Sequence, residues 1–302
     1  MMKKATLILT IILILTLFTG CGATPGGITV ATTTLPVYEF TSRLCEGSPI
    51  RVTRLITESV SCLHDYTLQV GQMRQIETAQ AVIISGAGLE DFLSDALNDA
   101  KIIDASANIE LICPDEGNDH EHEDDHHHAD GHHHENDPHI WLSPANAKIM
   151  AENIRDSLSR LFPEHQKVFQ SNCQMLLDDL EQLHSYAQTA LADLSCRELI
   201  TFHDGFAYLA QEYDLTILEA VEEESGSEAS AAELKELIAL VEDHHLPAIF
   251  TEKLGSVSAA GIISAETDAA VYPLDMAMHG ESYFAAMYHN IDTVKEALEC
   301  DK

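Results

Sequence analysis

The chain has 302 residues, which is enough for about two domains of ordinary size. Acidic residues outnumber basic ones 50 to 16, so the formal net charge is −34. This charge argues against binding to nucleic acid or to an anionic membrane surface, because both depend on clustered Lys and Arg. With 45% hydrophobic residues the chain can still fill a core, so we expect the acidity on the surface of a folded protein.

Residues 1–20 are predicted to be a signal peptide. Two lysines precede the apolar run 5–19, which is shorter than the roughly 20 residues that a membrane-spanning helix needs. The run ends in a glycine followed by Cys21, which resembles the lipobox of bacterial lipoproteins. We therefore predict a lipid anchor on Cys21, with residues 21–27 as a flexible tether; an ordinary secretory signal with an incidental cysteine is the alternative.

Residues 28–162 are predicted to form a first α/β lobe. Its strand-like runs are 28–33, 50–56, 81–85 and 101–104. Helical stretches separate them and are expected to bury apolar residues such as Leu68, Met73 and Ile76. Strands that alternate with helices indicate βαβ units and a parallel sheet.

A histidine-rich segment interrupts this lobe at residues 115–137. It has no basic and no large apolar side chain, so it is predicted to be a mobile loop that binds several metal ions weakly. Its histidines are His120, His122, His126, His127, His128, His132, His133 and His134. Residues 122–126 match H-E-x-x-H, but that motif needs a helix, so we interpret the match as an accident of composition.

A single long helix is predicted over residues 163–195. Its apolar residues alternate at spacings of four and three, which makes one continuous stripe. The stripe consists of Phe169, Cys173, Leu176, Leu180, Leu183, Ala187, Ala190 and Leu194. Because we find no second stripe of that length, we interpret the helix as a link between two lobes and not as half of an antiparallel pair.

Residues 196–302 are predicted to form a second α/β lobe. Its strand-like runs are 198–202, 215–220, 248–251 and 269–274, with a helix at 231–241. The predicted fold class is therefore α/β, with two lobes of parallel-type sheets joined by one long helix. Six cysteines remain after Cys21, none in a C-x-x-C arrangement, and the sequence leaves their pairing open.

Side chains of the ligand type follow strands or loop ends in both lobes. They are His64, His139, His203 and Asp275. Ligands of open parallel sheets bind beyond the carboxyl ends of the strands, so these four residues can converge in the cleft between the lobes. Three imidazoles and one carboxylate make the four ligands that tetrahedral zinc prefers, with no position left for an activated water. Capture and release of the metal is therefore the expected chemistry. Cys62, two residues before His64, is a further candidate ligand, but we expect it to be a buried or disulfide-bonded cysteine instead.

These segments resemble the metal-binding lipoproteins of cluster A-I ABC importers, which are zinc and manganese receptors. The resemblance runs from about residue 28 to the C-terminus and is carried by residues 64–66, 137–144, 202–208, 221–226, 231–234 and 274–275. It implies two α/β lobes bridged by one long helix, with the metal in the interlobe cleft. It also implies delivery of the ion to a membrane permease driven by a cytoplasmic ATPase.

The sequence departs from the family pattern at two places. Cys62 and Leu63 replace the residues that usually precede the first ligand, and Met276 follows Asp275 where a proline is usual. Glu222 to Glu224 are therefore possible substitutes for Asp275 as the carboxylate ligand, but the resemblance implies a place for them near the rim of the cleft, so Asp275 is preferred.

His203 stands where manganese binders of this family tend to have glutamate, so zinc is favoured over manganese, while nickel and copper remain open. We expect a non-enzymatic, extracytoplasmic zinc receptor that is monomeric and anchored to the cell membrane. Its expected partners are a permease and its ATPase, with no nucleic acid. The alternatives are a manganese receptor, a zinc-buffering or adhesin lipoprotein, and a secreted zinc hydrolase.

Overall fold

The computed structural model describes residues 27–59, 63, 66–93, 102–113, 136–221 and 229–299. The predicted signal peptide, the anchor at Cys21, Cys62 and His64 lie outside the described residues. So do the eight loop histidines and the glutamates at 222–224. Among the helices that are described, none combines the length and apolarity needed to cross a bilayer.

The first lobe contains a four-stranded parallel sheet. Its strands are β1 (Thr29–Thr32), β2 (Arg51–Arg54), β3 (Ala81–Ile84) and β4 (Ile102–Asp104), in the order β2-β1-β3-β4. Helices α1 (Leu35–Cys45) and α2 (Val70–Thr78) make the connections that allow neighbouring strands to run parallel. The predicted strands are confirmed to within two residues at each end.

The second lobe repeats this topology. Its strands are β5 (Glu198–Thr201), β6 (Thr216–Ala220), β7 (Ala248–Glu252) and β8 (Ala270–Leu274), in the order β6-β5-β7-β8 and all parallel. Its helices are α5 (Ala207–Glu212), α6 (Ala231–His244), α7 (Ser258–Thr267) and α8 (Tyr283–Leu298). The predicted helix at 231–241 is present and runs three residues further, to His244.

Two helices lie between the sheets in sequence: α3 (Pro144–Leu161) and α4 (Gln166–Ala190). The long predicted helix is confirmed as α4, although it begins three residues late because Pro163–His165 forms a 3₁₀ turn. Its predicted stripe is buried from Phe169 to Ala187. The helix ends at Ala190, and Leu194 lies beyond it, partly buried.

The expectation that the long helix has no helical partner is wrong. Helix α3 packs along α4, and this is the most extensive contact between any two described elements. The apolar face of α3 contains Ala147, Met150, Ala151, Ile154 and Leu158, all fully buried. Two of these five residues are alanines and the face is shorter than the stripe of α4, so it does not appear as a long stripe in the sequence. The two helices share one core with both sheets.

One predicted core residue is also wrong. In α2 only Gln72 and Ile76 are buried, while Met73 is 48% exposed. Leu68 precedes the helix and is partly buried. Gln72 and Ile76 are four residues apart and form a narrow buried row, and Met73 lies outside this row because it is turned about 100° from Gln72.

Candidate metal site

His139 is held at the end of the first lobe by its local backbone. The Asp137 amide donates to the carbonyl of Ile112 (2.8 Å), so the two ends of the intervening segment lie side by side. His139 then precedes a 3₁₀ turn, Ile140–Leu142, and Ser143 caps α3 by accepting from the Asn146 amide (3.0 Å). The imidazole is 7% exposed. Asp137 was assigned to the mobile loop from sequence; the structure shows that it is part of the folded lobe.

The carboxylate of Asp137 fixes the orientation of the His139 ring. Asp137 Oδ1 lies 2.9 Å from the His139 amide nitrogen and 2.8 Å from its ring Nδ1. A carboxylate can only accept here, so Nδ1 carries the proton and Nε2 presents its lone pair. Metal-ligating histidines characteristically have their other nitrogen bonded in this way.

His203 comes from the second lobe, two residues after β5. Strands β5 and β7 are neighbours whose connections leave in opposite directions, and the crevice at such a point is where doubly wound sheets bind ligands. His203 Nε2 lies 3.4 Å from His139 Nε2, with the ring planes at 81°. The two imidazoles therefore face each other across the boundary between the lobes.

This separation matches the geometry of a shared metal. Two nitrogens on one tetrahedral zinc, each about 2.0–2.1 Å from the ion, lie about 3.3–3.4 Å apart. The observed distance is 3.4 Å. The pair can thus accept a cation between the two Nε2 atoms without a large movement of either ring.

Glu252, the last residue of β7, lies behind His203. Its Oε2 is 3.5 Å from His203 Nδ1, and its side chain is 5% exposed. Burial, with a contribution from the charge of Asp275, raises the pKa of Glu252 to about 7. Both imidazoles therefore have a carboxyl group at Nδ1 and face each other with Nε2. Sequence analysis missed Glu252, although it directly follows the predicted strand 248–251; the rule that selected ligand-type residues after strands could have found it.

Asp275 follows β8 and is clamped by Asn290 of α8. The Asp275 amide donates to Asn290 Oδ1 (2.8 Å), and Asn290 Nδ2 donates to the Asp275 carbonyl (2.6 Å). Asp275 Oδ1 accepts from the Ala277 amide (2.9 Å), and Oδ2 is paired with Lys253 Nζ (3.1 Å). The carboxylate is thus near Glu252 but is already engaged.

Contacts around Met276 join the two lobes at this point. Trp141 Nε1 donates to the carbonyl of Met276 (2.8 Å), and the ring of Trp141 packs against His139 at 5.5 Å. Gly205 leaves the space that the imidazoles need, because a Cβ there would lie 2.8 Å from His203 Cδ2 and 2.9 Å from His139 Nδ1. Small and apolar groups therefore shape the floor of the site.

Of the four sequence-predicted ligands, the structure brings His139 and His203 together. Asp275 is held close to Glu252 and Lys253, and His64 lies outside the described residues. Within the described ranges, no three His, Cys, Asp or Glu side chains form a group that would hold a metal. Met276, the departure from the family pattern, is buried and contributes its carbonyl to Trp141.

The equivalent crevice of the first lobe is filled by the protein itself. Glu90 accepts from the Thr33 hydroxyl (2.6 Å) and from the backbone amides of Ser85 (2.8 Å) and Gly86 (3.0 Å), at the ends of β1 and β3. Burial raises the pKa of Glu90 to about 7 although these hydrogen bonds oppose the shift. Glu90 therefore occupies the crevice of the first lobe, whereas His203 in the crevice of the second lobe faces His139.

Two parallel sheets of identical strand order, linked by a long helix and meeting at facing histidines, are the architecture of a two-lobed α/β binding protein. The family described as "ZnuA: Zinc-uptake complex component A periplasmic" matches residues 30–297. The chain belongs to this family.

Known relatives support this assignment. The chain is 30% identical over 282 residues to the high-affinity zinc uptake system protein ZnuA of Bacillus subtilis, covering 89% of this chain and 87% of that protein. It is 29% identical over 291 residues to the zinc-binding lipoprotein AdcA of Streptococcus pneumoniae, covering 91% of this chain. It spans only about half, 56%, of that relative's length. Among solved structures, a zinc-bound ZnuA deletion mutant superimposes with a TM-score of 0.75 at 26% identity, covering 91% of this chain and all of that one.

Proposed function

We propose that this protein is an extracytoplasmic receptor that captures one zinc ion between its lobes and delivers it to an ABC-type permease. The observation that carries the proposal is the pair of Nε2 atoms, one from each lobe, 3.4 Å apart. A role as a binding protein, without enzymatic activity, agrees with the family and with relatives that are named zinc-binding and zinc-uptake proteins.

The proposed ligands are His64, His139, His203 and Asp275. His139 and His203 are supported by their facing nitrogens and by the carboxyl groups that hold their Nδ1 atoms. Asp275 is supported by its position after β8 and by the influence of its charge on Glu252. The assignment of His64 rests on its sequence segment. In this arrangement Asp137 and Glu252 orient the imidazoles and do not bind the metal.

Zinc is proposed over manganese because imidazole nitrogen is the dominant ligand. Manganese prefers oxygen ligands and higher coordination numbers, whereas three nitrogens and one oxygen suit tetrahedral zinc. A filled first shell gives no open coordination position, so a bound ion would be held until the lobes separate.

The segment 115–135 is proposed to collect metal ions weakly near the site. Its eight histidines and its acidic residues favour divalent cations. The described residues on either side of it, Ile112 and Asp137, are hydrogen-bonded to each other close to His139. Because Asp137 orients a proposed ligand, a deletion that tests this segment should stop at residue 135.

We further propose that the mature chain is a monomer anchored to the cell membrane through lipid on Cys21. This proposal is supported by the family, which is described as periplasmic, and by the pneumococcal relative, which is named a lipoprotein. A permease and its cytoplasmic ATPase would be the partners that move the ion across the membrane.

Calorimetric titration with zinc tests the proposal. The native chain and a chain lacking residues 115–135 should each bind one zinc tightly, and the weak additional sites should disappear with the deletion. His139→Ala and His203→Ala should each lower the affinity of the tight site by at least about 100-fold. Tight binding that survives His203→Ala, or that disappears with the loop alone, would contradict a site between the lobes.

A further inference from the structure

We propose that Lys253 is a built-in competitor of the metal, whose ammonium group occupies the Asp275 carboxylate until a cation displaces it. This inference deepens the proposed function and rests on it. Lys253 is paired with a proposed ligand and is not itself a proposed ligand. The role assigned to it is to set the affinity of the site and to assist release of the ion.

Both oxygens of Asp275 are engaged in the structure. Oδ1 accepts from the Ala277 amide at 2.9 Å, and Oδ2 is paired with Lys253 Nζ at 3.1 Å. Asn290 additionally fixes the backbone of Asp275 on both sides. A metal that binds this carboxylate must therefore share or replace one of these two partners.

Lys253 is the partner that can yield. Ala277 is fully buried and its amide belongs to a backbone with a φ of 54°, so it cannot move without local rearrangement. The Lys253 side chain is 57% exposed and sits on four rotatable bonds. Its backbone, in contrast, is fixed, because the Lys253 amide donates to the Leu274 carbonyl at 2.8 Å.

The negative charges near Lys253 explain why its ammonium group lies at Asp275 when no metal is bound. Asp275 is 19% exposed and lies near Glu252, which is 5% exposed and has its pKa raised in part by the Asp275 charge. Two carboxyl groups so close together repel each other when ionised. The ammonium group offsets this repulsion in the empty site, and a divalent ion would do so in the loaded one.

Closing and opening of the lobes would decide whether the metal or the Lys253 ammonium group occupies Asp275. When the metal takes its place on Asp275, the exposed Lys253 side chain would turn into solvent and stay close enough to return. When the lobes separate, the same group returns to Asp275 and removes one ligand from the ion. Affinity is thereby reduced to a level that permits transfer to a permease.

The test compares Lys253→Met, which keeps the apolar stem and removes the charge, with Lys253→Arg and with Lys167→Met. Lys167 is an exposed residue of α4, so Lys167→Met makes the same change in net charge away from the site. Zinc dissociation constants are measured by competition with a chromophoric chelator on chains that lack residues 115–135. Melting temperatures are measured with and without zinc.

Lys253→Met should bind zinc about two- to fivefold more tightly than Lys167→Met, which is the range that loss of a partly exposed ion pair allows. Its metal-free form should melt earlier while the zinc-loaded form is unchanged, so the zinc-induced rise in melting temperature grows. Lys253→Arg should behave like the native chain. Equal or weaker zinc binding by Lys253→Met would overturn the inference, as would equal loss of stability in both forms. A native chain that does not bind zinc tightly would overturn the proposed function itself.

Discussion

Replacing Asp137 by alanine tests whether the orientation of His139 matters for metal binding. Asp137 Oδ1 accepts from the His139 ring at 2.8 Å and from its backbone amide at 2.9 Å. Asp137→Ala removes both hydrogen bonds while leaving all four proposed ligands in place. The imidazole can then adopt the other tautomer, in which Nε2 carries the proton and no longer offers a lone pair.

The size of the effect follows from the strength of the ring contact. A hydrogen bond to a charged partner contributes about 1.5–3 kcal/mol, and His139 is 7% exposed, so water replaces it poorly. This corresponds to a loss of zinc affinity of about 10- to 100-fold, which is also the usual effect of removing such an outer partner. Asp137→Asn keeps an oxygen acceptor without the charge, so its loss should stay below about tenfold.

The assay is competition for zinc with a chromophoric chelator, using chains without residues 115–135. Asp193→Ala, at an exposed position after α4, removes the same side chain away from the site and should leave the affinity unchanged. The order of affinities expected is Asp193→Ala, then Asp137→Asn, then Asp137→Ala. If Asp137→Ala binds zinc within twofold of the native chain, the Asp137 contact does not orient a ligand.

Three further outcomes are expected. Gly205→Ala should weaken zinc binding at least tenfold, because the added Cβ would lie 2.6 Å from Met276 Cε and within 3 Å of both imidazoles. The control Gly261→Ala, whose Cβ would meet open space, should leave zinc binding unchanged. Because the pKa of Glu90 is raised to about 7, the folded protein binds a proton at Glu90 more firmly than the unfolded chain does. The resulting stabilisation is complete below pH 4.5 and is lost as the pH rises to about 7. Urea unfolding should therefore show a stability loss of about 3 kcal/mol over this interval that Glu90→Gln reduces, and parallel profiles would refute it. Trp141→Phe, which leaves the buried Met276 carbonyl without its 2.8 Å donor, should lower the free energy of unfolding by about 1–3 kcal/mol in the same assay, and no change would show that this bond is not needed.

The sequence was most informative where packing is local. The eight strands were placed to within two residues, because most of them are short runs of β-branched or apolar residues bounded by polar or glycine-containing turns. The buried stripe of α4 was placed correctly from Phe169 to Ala187 for the same kind of reason. These patterns depend only on neighbours along the chain.

Contacts between distant segments were less accessible. Helix α3 was missed as the partner of α4 because its apolar face is short and two of its five fully buried residues are alanines. Glu252 was missed because its closeness to His203 depends on the neighbouring positions of β5 and β7 in the sheet. Asp137 was assigned to a loop by its acidic surroundings, whereas its role is decided by hydrogen bonds to Ile112 and His139.

The candidate site was predicted in part. His139 and His203 were chosen from separate segments, and the structure brings their Nε2 atoms to 3.4 Å. Asp275 was chosen as a ligand, but its engagement by Lys253 could not be read from the sequence, because the two residues are joined only through the pairing of β7 with β8. The contribution of His64 remains a prediction.

Anomalous diffraction from crystals of the zinc-loaded chain, measured on both sides of the zinc absorption edge, tests the central claim most directly. We expect one strong zinc peak between the lobes, about 2.0–2.1 Å from Nε2 of both His139 and His203. An ordered zinc ion bound elsewhere, with these two nitrogens uncoordinated, would contradict the account.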